Sequence, residues 1–150
     1  MSQPIPVISC GQAIEIGERV APALKPEIEV VRFFNDMAEA KENIPSMLAG
    51  AGPKSDSPNQ VGTHDYSKVP RAVIFGRAID LAFVVELHEL CKGVSQAPVA
   101  WIASDPSYKV PPGLPGPGYA ERVANTVKET VLSWINEGAK REEIVYYGSG

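Results

Sequence analysis

The chain has 150 residues, 44% of them hydrophobic, and a formal charge of −4 at pH 7. That length suits one domain, 1–150, with a core large enough to need no cross-links. An acidic balance without any Lys/Arg cluster argues against a nucleic-acid or anionic-membrane surface. No stretch approaches the ~18 apolar residues of a membrane span.

Strands and helices alternate along the chain. Residues 6–9, PVIS, form a short apolar run between a proline and a glycine and read as a buried strand. A helix follows over about 12–21, with Ala13, Ile16 and Val20 at helical spacing and Pro22 limiting its far end. Residues 27–34, EIEVVRFF, are rich in branched and aromatic side chains, as a strand requires. Asn35 and Asp36 are suited to cap the next helix, whose stripe is Met37, Ala40, Ile44 and Met47; Pro45 predicts that it is short or bent. Residues 50–70 are polar and aperiodic, which predicts a functional or mobile loop.

The third strand is 71–75, RAVIF. Asp80 starts a helix carrying Leu81, Val84, Val85, His88 and Cys91, which Gly93 closes. Residues 98–103, PVAWIA, read as strand four, followed by a loop over 104–118 with five prolines and three glycines. That loop suits a stiff flap touching a ligand through Tyr108 or Leu114, a plain connector, or a partner motif. A last helix shows Ala120, Val123, Ala124, Val127, Val131 and Trp134 on one face and stops at Gly138; 143–147, EIVYY, is a candidate fifth strand. Cys10 and Cys91, at a strand end and on a helix, fit free thiols in a reducing compartment. The opening MSQPIPV has no basic or long apolar stretch, so the expectation is a cytoplasmic protein, with 148–150 as a tail of no assigned role.

Apolar strands alternating with amphipathic helices predict a mostly parallel sheet covered on both faces. The expected fold is a three-layer doubly wound α/β sandwich of Rossmann or flavodoxin type, strand order 2-1-3-4-(5). In such sheets ligands bind beyond the carboxyl ends of the strands, where the order reverses. Residues 10–17, 35–36, 76–80 and 104–118 meet there, and the first helix aims its free N–H groups at the same place, which favours an anion. The contacts expected on this basis are Gly11, Gln12, Gly17, Asp36, Gly76, Arg77 and Ser104.

The stretch Cys10-Gly11-Gln12-Ala13-Ile14-Glu15-Ile16-Gly17 resembles the glycine loop of short-chain dehydrogenases and related NAD(P)-binding proteins. Gly11, Ile16 and Gly17 match that pattern, and Glu15 replaces its middle glycine. The resemblance covers the first quarter of the chain and describes a degenerate NAD(P)-binding Rossmann domain. Asp36, 19 residues beyond Gly17, stands where that fold places the acid on the adenosine ribose. The resemblance therefore implies NAD(P), and NAD over NADP. Glu15 opposes it: two like charges about 4 Å apart repel by roughly 4 kcal/mol at an effective dielectric near 20. The family's catalytic Tyr-x-x-x-Lys is absent, so hydride transfer has no support and no reaction follows from the sequence.

Other chemistry is thinner. Cys10 faces a helix start, as a nucleophilic thiol does, but the loop of low-molecular-weight phosphatases needs Arg where Ile16 stands. The acids of response-regulator receivers are replaced by Ser9-Cys10 and Phe75-Gly76, and the Ser/Thr-rich flavin loop of flavodoxins is missing. His64-Asp65-Tyr66 offers a base beside a carboxylate, though adjacent residues rarely face each other. His88, on an apolar stripe, reads as a hydrogen-bonded core or interface residue. Two His and two Cys, widely separated, predict no metal site. Two functions follow as expectations: a binder of a nucleotide-type or other small anionic molecule, or a non-catalytic interaction protein on a cofactor-free Rossmann-like fold. A homodimer is the expected assembly.

Overall fold

The computed structural model describes residues 4–105, 118–140 and 142–147. Most of the proline-rich loop, with Tyr108 and Leu114, lies outside the described residues, as do 148–150. The elements run β1 (Ile5–Cys10), α1 (Ile14–Ala23), β2 (Ile28–Phe34), α2 (Met37–Leu48), β3 (Ala72–Phe75), α3 (Leu81–Leu90), β4 (Ala100–Ser104), α4 (Tyr119–Asn136) and β5 (Ile144–Tyr147). They build one five-stranded sheet of order β2-β1-β3-β4-β5 in which every pairing is parallel. This is the doubly wound order expected, with its reversal between β1 and β3.

Each face of the sheet has its own core. Ile8, Cys10, Val31, Phe34, Val73, Phe75 and Trp101 pack with Ala40, Ile44, Met47, Leu48, Val84 and Leu87 of α2 and α3. Val7, Val30, Ile74 and Ile102 pack with Ala124, Val127, Val131 and Trp134 of α4 and with Val20, Ala21 and Ala23 of α1. Except in β5, both strand faces are buried, so the strands read as near-continuous apolar runs. The β1–β2 register slips by one residue between Val7 and Ile8, opposite Val31. That slip lets Val30 and Phe33 both face α1.

Two prolines fall inside helices near their ends. Pro22 lies inside the last turn of α1, and Pro45 lies inside α2, which still runs to Leu48. A proline so near a helix end removes one internal bond, and the carbonyls beyond are reused: Ala49 N–H donates to Pro45 O at 3.0 Å and Lys25 N–H to Pro22 O at 3.2 Å. α3 ends at Leu90, before Gly93.

The polar stretch over 50–70, expected as a functional or mobile loop, is fastened along β2, the edge strand. Thr63 and His64 N–H donate to Val30 O and Val31 O, each at 2.9 Å. Asn59 Nδ2 donates to Phe33 O at 3.0 Å. Asn43, fully buried, accepts from Lys54 and Ser55 N–H and donates to Glu39 O. Arg32, also buried, pairs with Glu39 at 3.0 Å, donates to Ser55 O and Asp56 O, and lies over the Phe34 ring. Gly62 has φ +94°, and a Cβ there would meet Val30 O at 2.9 Å. The stretch thus occupies pairing groups that an open edge strand would leave exposed.

Candidate functional site

A cavity of about 480 Å³ opens at the carboxyl end of the sheet, on the face covered by α1 and α4. It is the size of an ordinary small-molecule site. Its floor is made by the ends of β1, β2, β3 and β5 with Ser9, Phe33, Ile74 and Tyr147; its walls are Ile16 and Val20 of α1 and Tyr119, Val123 and Val127 of α4. The turns after β1 and β3 form the rim through Gly11, Gln12, Ala13, Gly76, Arg77 and Ala78.

Five of the seven expected contacts, Gly11, Gln12, Gly17, Gly76 and Arg77, line this cavity. Gly11 and Gly17 share a local cause. A Cβ on Gly17 would come within 2.8–3.0 Å of the Phe33 ring, and one on Gly11 within 3.2 Å. Both glycines make room for that ring, which lets α1 settle onto β1 and β2. Gln12 Nε2 donates to Ala78 O at 3.2 Å and ties the two rim turns together. The Arg77 guanidinium lies 5.5 Å from the centre of the Tyr119 ring, a cation–π arrangement at the mouth.

Asp36 and Ser104 do not line the cavity. Asp36 is exposed and serves as the N-cap of α2, its Oδ1 accepting from Ala38 N–H at 2.9 Å and Glu39 N–H at 3.4 Å. Ser104 is displaced by Tyr147, its partner in the β4–β5 pairing. The Tyr147 side chain passes β4 to donate from its hydroxyl to Phe75 O at 2.8 Å. Ser104 Oγ is left buried with no hydrogen-bond partner among the described residues. Glu15 is exposed and outside the lining, so its carboxylate does not enter the cavity.

Ala13, Ile16 and Ala78 lie in the segments expected at this edge; Phe33 and the α4 residues were not foreseen. Phe33 needed the β1–β2 register, which sets it opposite Ser9. Tyr119, Val123 and Val127 needed the packing of α4 against α1. The signal available was the helical stripe of α4, which reads equally as plain core.

The nucleophile candidates are withdrawn by burial. Cys10 borders the cavity at the end of β1 but packs in the α2/α3 core, and burial pushes its thiol far above the usual range. Burial likewise raises Tyr147 and pushes Cys91 up to about 11. His64 and Asp65 do not form a dyad. His64 Nε2 meets Val61 O at 3.0 Å, and Asp65 accepts from Ser67 N–H and Oγ, which hold its carboxyl below the usual range. His88 Nε2 meets Glu142 O at 2.6 Å and the ring stands edge-on to Trp101 at 5.3 Å, a hydrogen-bonded packing residue as expected. No cluster of His, Cys, Asp and Glu among the described residues has metal-site geometry.

Two helices flank the cavity, and both start without a side-chain cap: α1 at Ala13 and α4 at Gly118. The helices of the opposite face are capped by Asp36 and Asp80. The cavity therefore faces two positive helix ends.

Fold and site together define a class: a Rossmann-like α/β protein, with an all-parallel sheet and a mostly apolar cavity at the switch point. None of its described helices is long and apolar enough to cross a membrane. The chain belongs to the family of Kojic acid related protein 6 of Aspergillus oryzae (strain ATCC 42149 / RIB 40), with 34% identity over 142 residues, 93% of this chain and 84% of that protein. No protein-family model matches the chain, and no solved structure matches it.

Proposed function

We propose that the chain binds a nucleotide-type or other small anionic molecule in the cavity at the carboxyl edge of its sheet. The observation that carries this reading is the cavity itself: about 480 Å³, at the switch point, with Arg77 the one charged residue among its described lining residues. The uncapped starts of α1 and α4 add to the preference for negative charge. For NAD(P), the glycine loop gives partial support: Gly11 and Gly17 border the cavity, and Glu15 leaves it clear. Asp36, committed to capping α2, gives none. The relative's name links that protein to kojic acid, which makes kojic acid a sensible probe here.

The test is a melting-temperature screen with NAD, NADP, AMP, FMN, phosphate, kojic acid and 2-naphthoate. A ligand at a hundred times its Kd stabilises by about 2.7 kcal/mol, and Arg77→Gln should shrink that shift. If no probe moves the transition, the reading fails.

A second reading has its own observation. Val85 and Leu90 are 44% and 49% exposed on the outer side of α3. Exposed large apolar side chains on a helix surface suit a docking face, so a non-catalytic interaction protein that pairs through α3, as a homodimer does, is the alternative.

A further inference from the structure

Resting on the binding reading above, we infer that the cavity selects a compact aromatic acid, a ring system bearing one carboxylate or acidic phenol, over a nucleotide.

Three features of the lining lead there. First, the body of the cavity is apolar: Ile16, Val20, Ile74, Val123 and Val127 make its walls. A nucleotide brings ribose hydroxyls that must keep hydrogen bonds when they leave water. Among the described lining residues, besides the core-packed thiol of Cys10, only Ser9, Gln12, Arg77 and the two tyrosines carry polar side chains; Gln12 already donates to Ala78 O, and the Tyr147 hydroxyl to Phe75 O. The carboxylate that holds ribose in dinucleotide sites has its counterpart in Asp36, which lies outside and caps α2.

Second, the cavity is closed on the β2 side by the Phe33 ring. That ring is 3% exposed and locked against Gly11 and Gly17. An extended ligand running from the glycine turn toward the end of β2 has to displace it. A compact ring instead packs beside it without moving it, and Tyr119 offers a second aromatic side chain in the lining. Aromatic pairs gain beyond their buried area.

Third, the polarity lies at one end. Arg77, steadied over Tyr119, sits on the rim with Gln12, and no carboxylate is found among the described lining residues. One negative group at the mouth with an apolar body behind it satisfies both regions. A doubly charged phosphate with a sugar attached leaves the walls unmatched.

The experiment is calorimetric titration of the intact chain with 2-naphthoate, its neutral amide, decanoate, AMP and NAD. Naphthoate should bind at least tenfold tighter than the amide and than either nucleotide. Arg77→Gln should erase the preference for the acid over the amide. Val123→Trp, which fills the cavity, should abolish binding; Ile16→Phe does the same from the opposite wall should the first variant fold poorly. AMP or NAD binding more tightly than naphthoate, and lost on cavity filling, overturns the aromatic-acid inference while the anion-binding reading stands. Decanoate matching naphthoate also overturns it, in favour of a flexible acyl chain. Absence of binding by all five compounds overturns both readings.

Discussion

Gly17 is where one atom separates two opposite outcomes. In an ordinary helix interior, Gly→Ala stabilises by roughly 0.5–1 kcal/mol. Here the new methyl meets the buried Phe33 ring at under 3 Å, and overpacking costs about 1–3 kcal/mol. Gly17→Ala should therefore lower stability by about 1 kcal/mol in urea unfolding. In a Phe33→Leu background the same change should turn neutral or stabilising. A penalty that survives the Phe33 change places the constraint elsewhere. The two thiols make a second case at this scale. Cys10 and Cys91 are both buried and unpaired with each other, and burial holds both in the neutral form. A thiol-reactive disulfide reagent at pH 8 should label neither until denaturant opens the chain.

Among elements, α2 and the stretch that follows it carry the clearest expectations. Asp36→Ala removes the cap of α2 and should cost about 1 kcal/mol. It should leave the affinity of any cavity ligand unchanged, because Asp36 lies outside the lining. A loss of affinity without loss of stability would restore its ribose-binding role. Asn43→Ala strips the hydrogen bonds that hold Lys54 and Ser55 N–H. Buried donors left unmatched cost about 1–3 kcal/mol. Limited proteolysis of that variant should cut first within 50–70, since the strap along β2 loses its anchor.

For the molecule as a whole, the pH dependence follows from the buried acids. Cys10, Cys91 and Tyr147 keep their protons in the folded chain, with Cys91 raised to about 11 from an ordinary value of 9.0. Above about pH 9 the unfolded chain releases protons that the folded chain retains. Unfolding is then favoured, and stability falls as pH rises toward 11. Urea midpoints at pH 7, 9 and 10 should decline in that order, and Cys91→Ala should flatten part of the slope. On the acid side, Glu27 is held below its usual range first by its hydrogen bond from Lys128. Its contribution is present above the ordinary carboxylate range and fades as pH falls through the lowered value. Since Glu27 is on the surface, that change should be slight and screened by salt.

The alternation of apolar runs with amphipathic stripes sufficed to reach the parallel sheet and its order, because the strands other than β5 are buried on both faces and each helix on one. The turns after β1 and β3 were legible for the same reason: topology alone sends them to one edge, so Gly11, Gln12, Gly76 and Arg77 could be named from position. What local pattern could not supply was direction and partnership. Asp36 sits at the right distance for a ribose, yet its carboxylate is spent on two N–H groups of its own helix. Glu15 stands in the glycine loop, yet its side chain turns to solvent. Cys10 ends the strand beside the cavity, yet the two-residue period of a strand sends its thiol to the other core. Residues 50–70 have no periodicity because their order comes from Asn43, Asn59 and Arg32, side chains that bind backbone groups rather than repeat a face. The sequence by itself determined the layers and the edge where the cavity opens, since those depend on which residues shun water. The character of the cavity was decided only in three dimensions, by a one-residue slip that aims Phe33 at two glycines and by a tyrosine that reaches across a neighbouring strand.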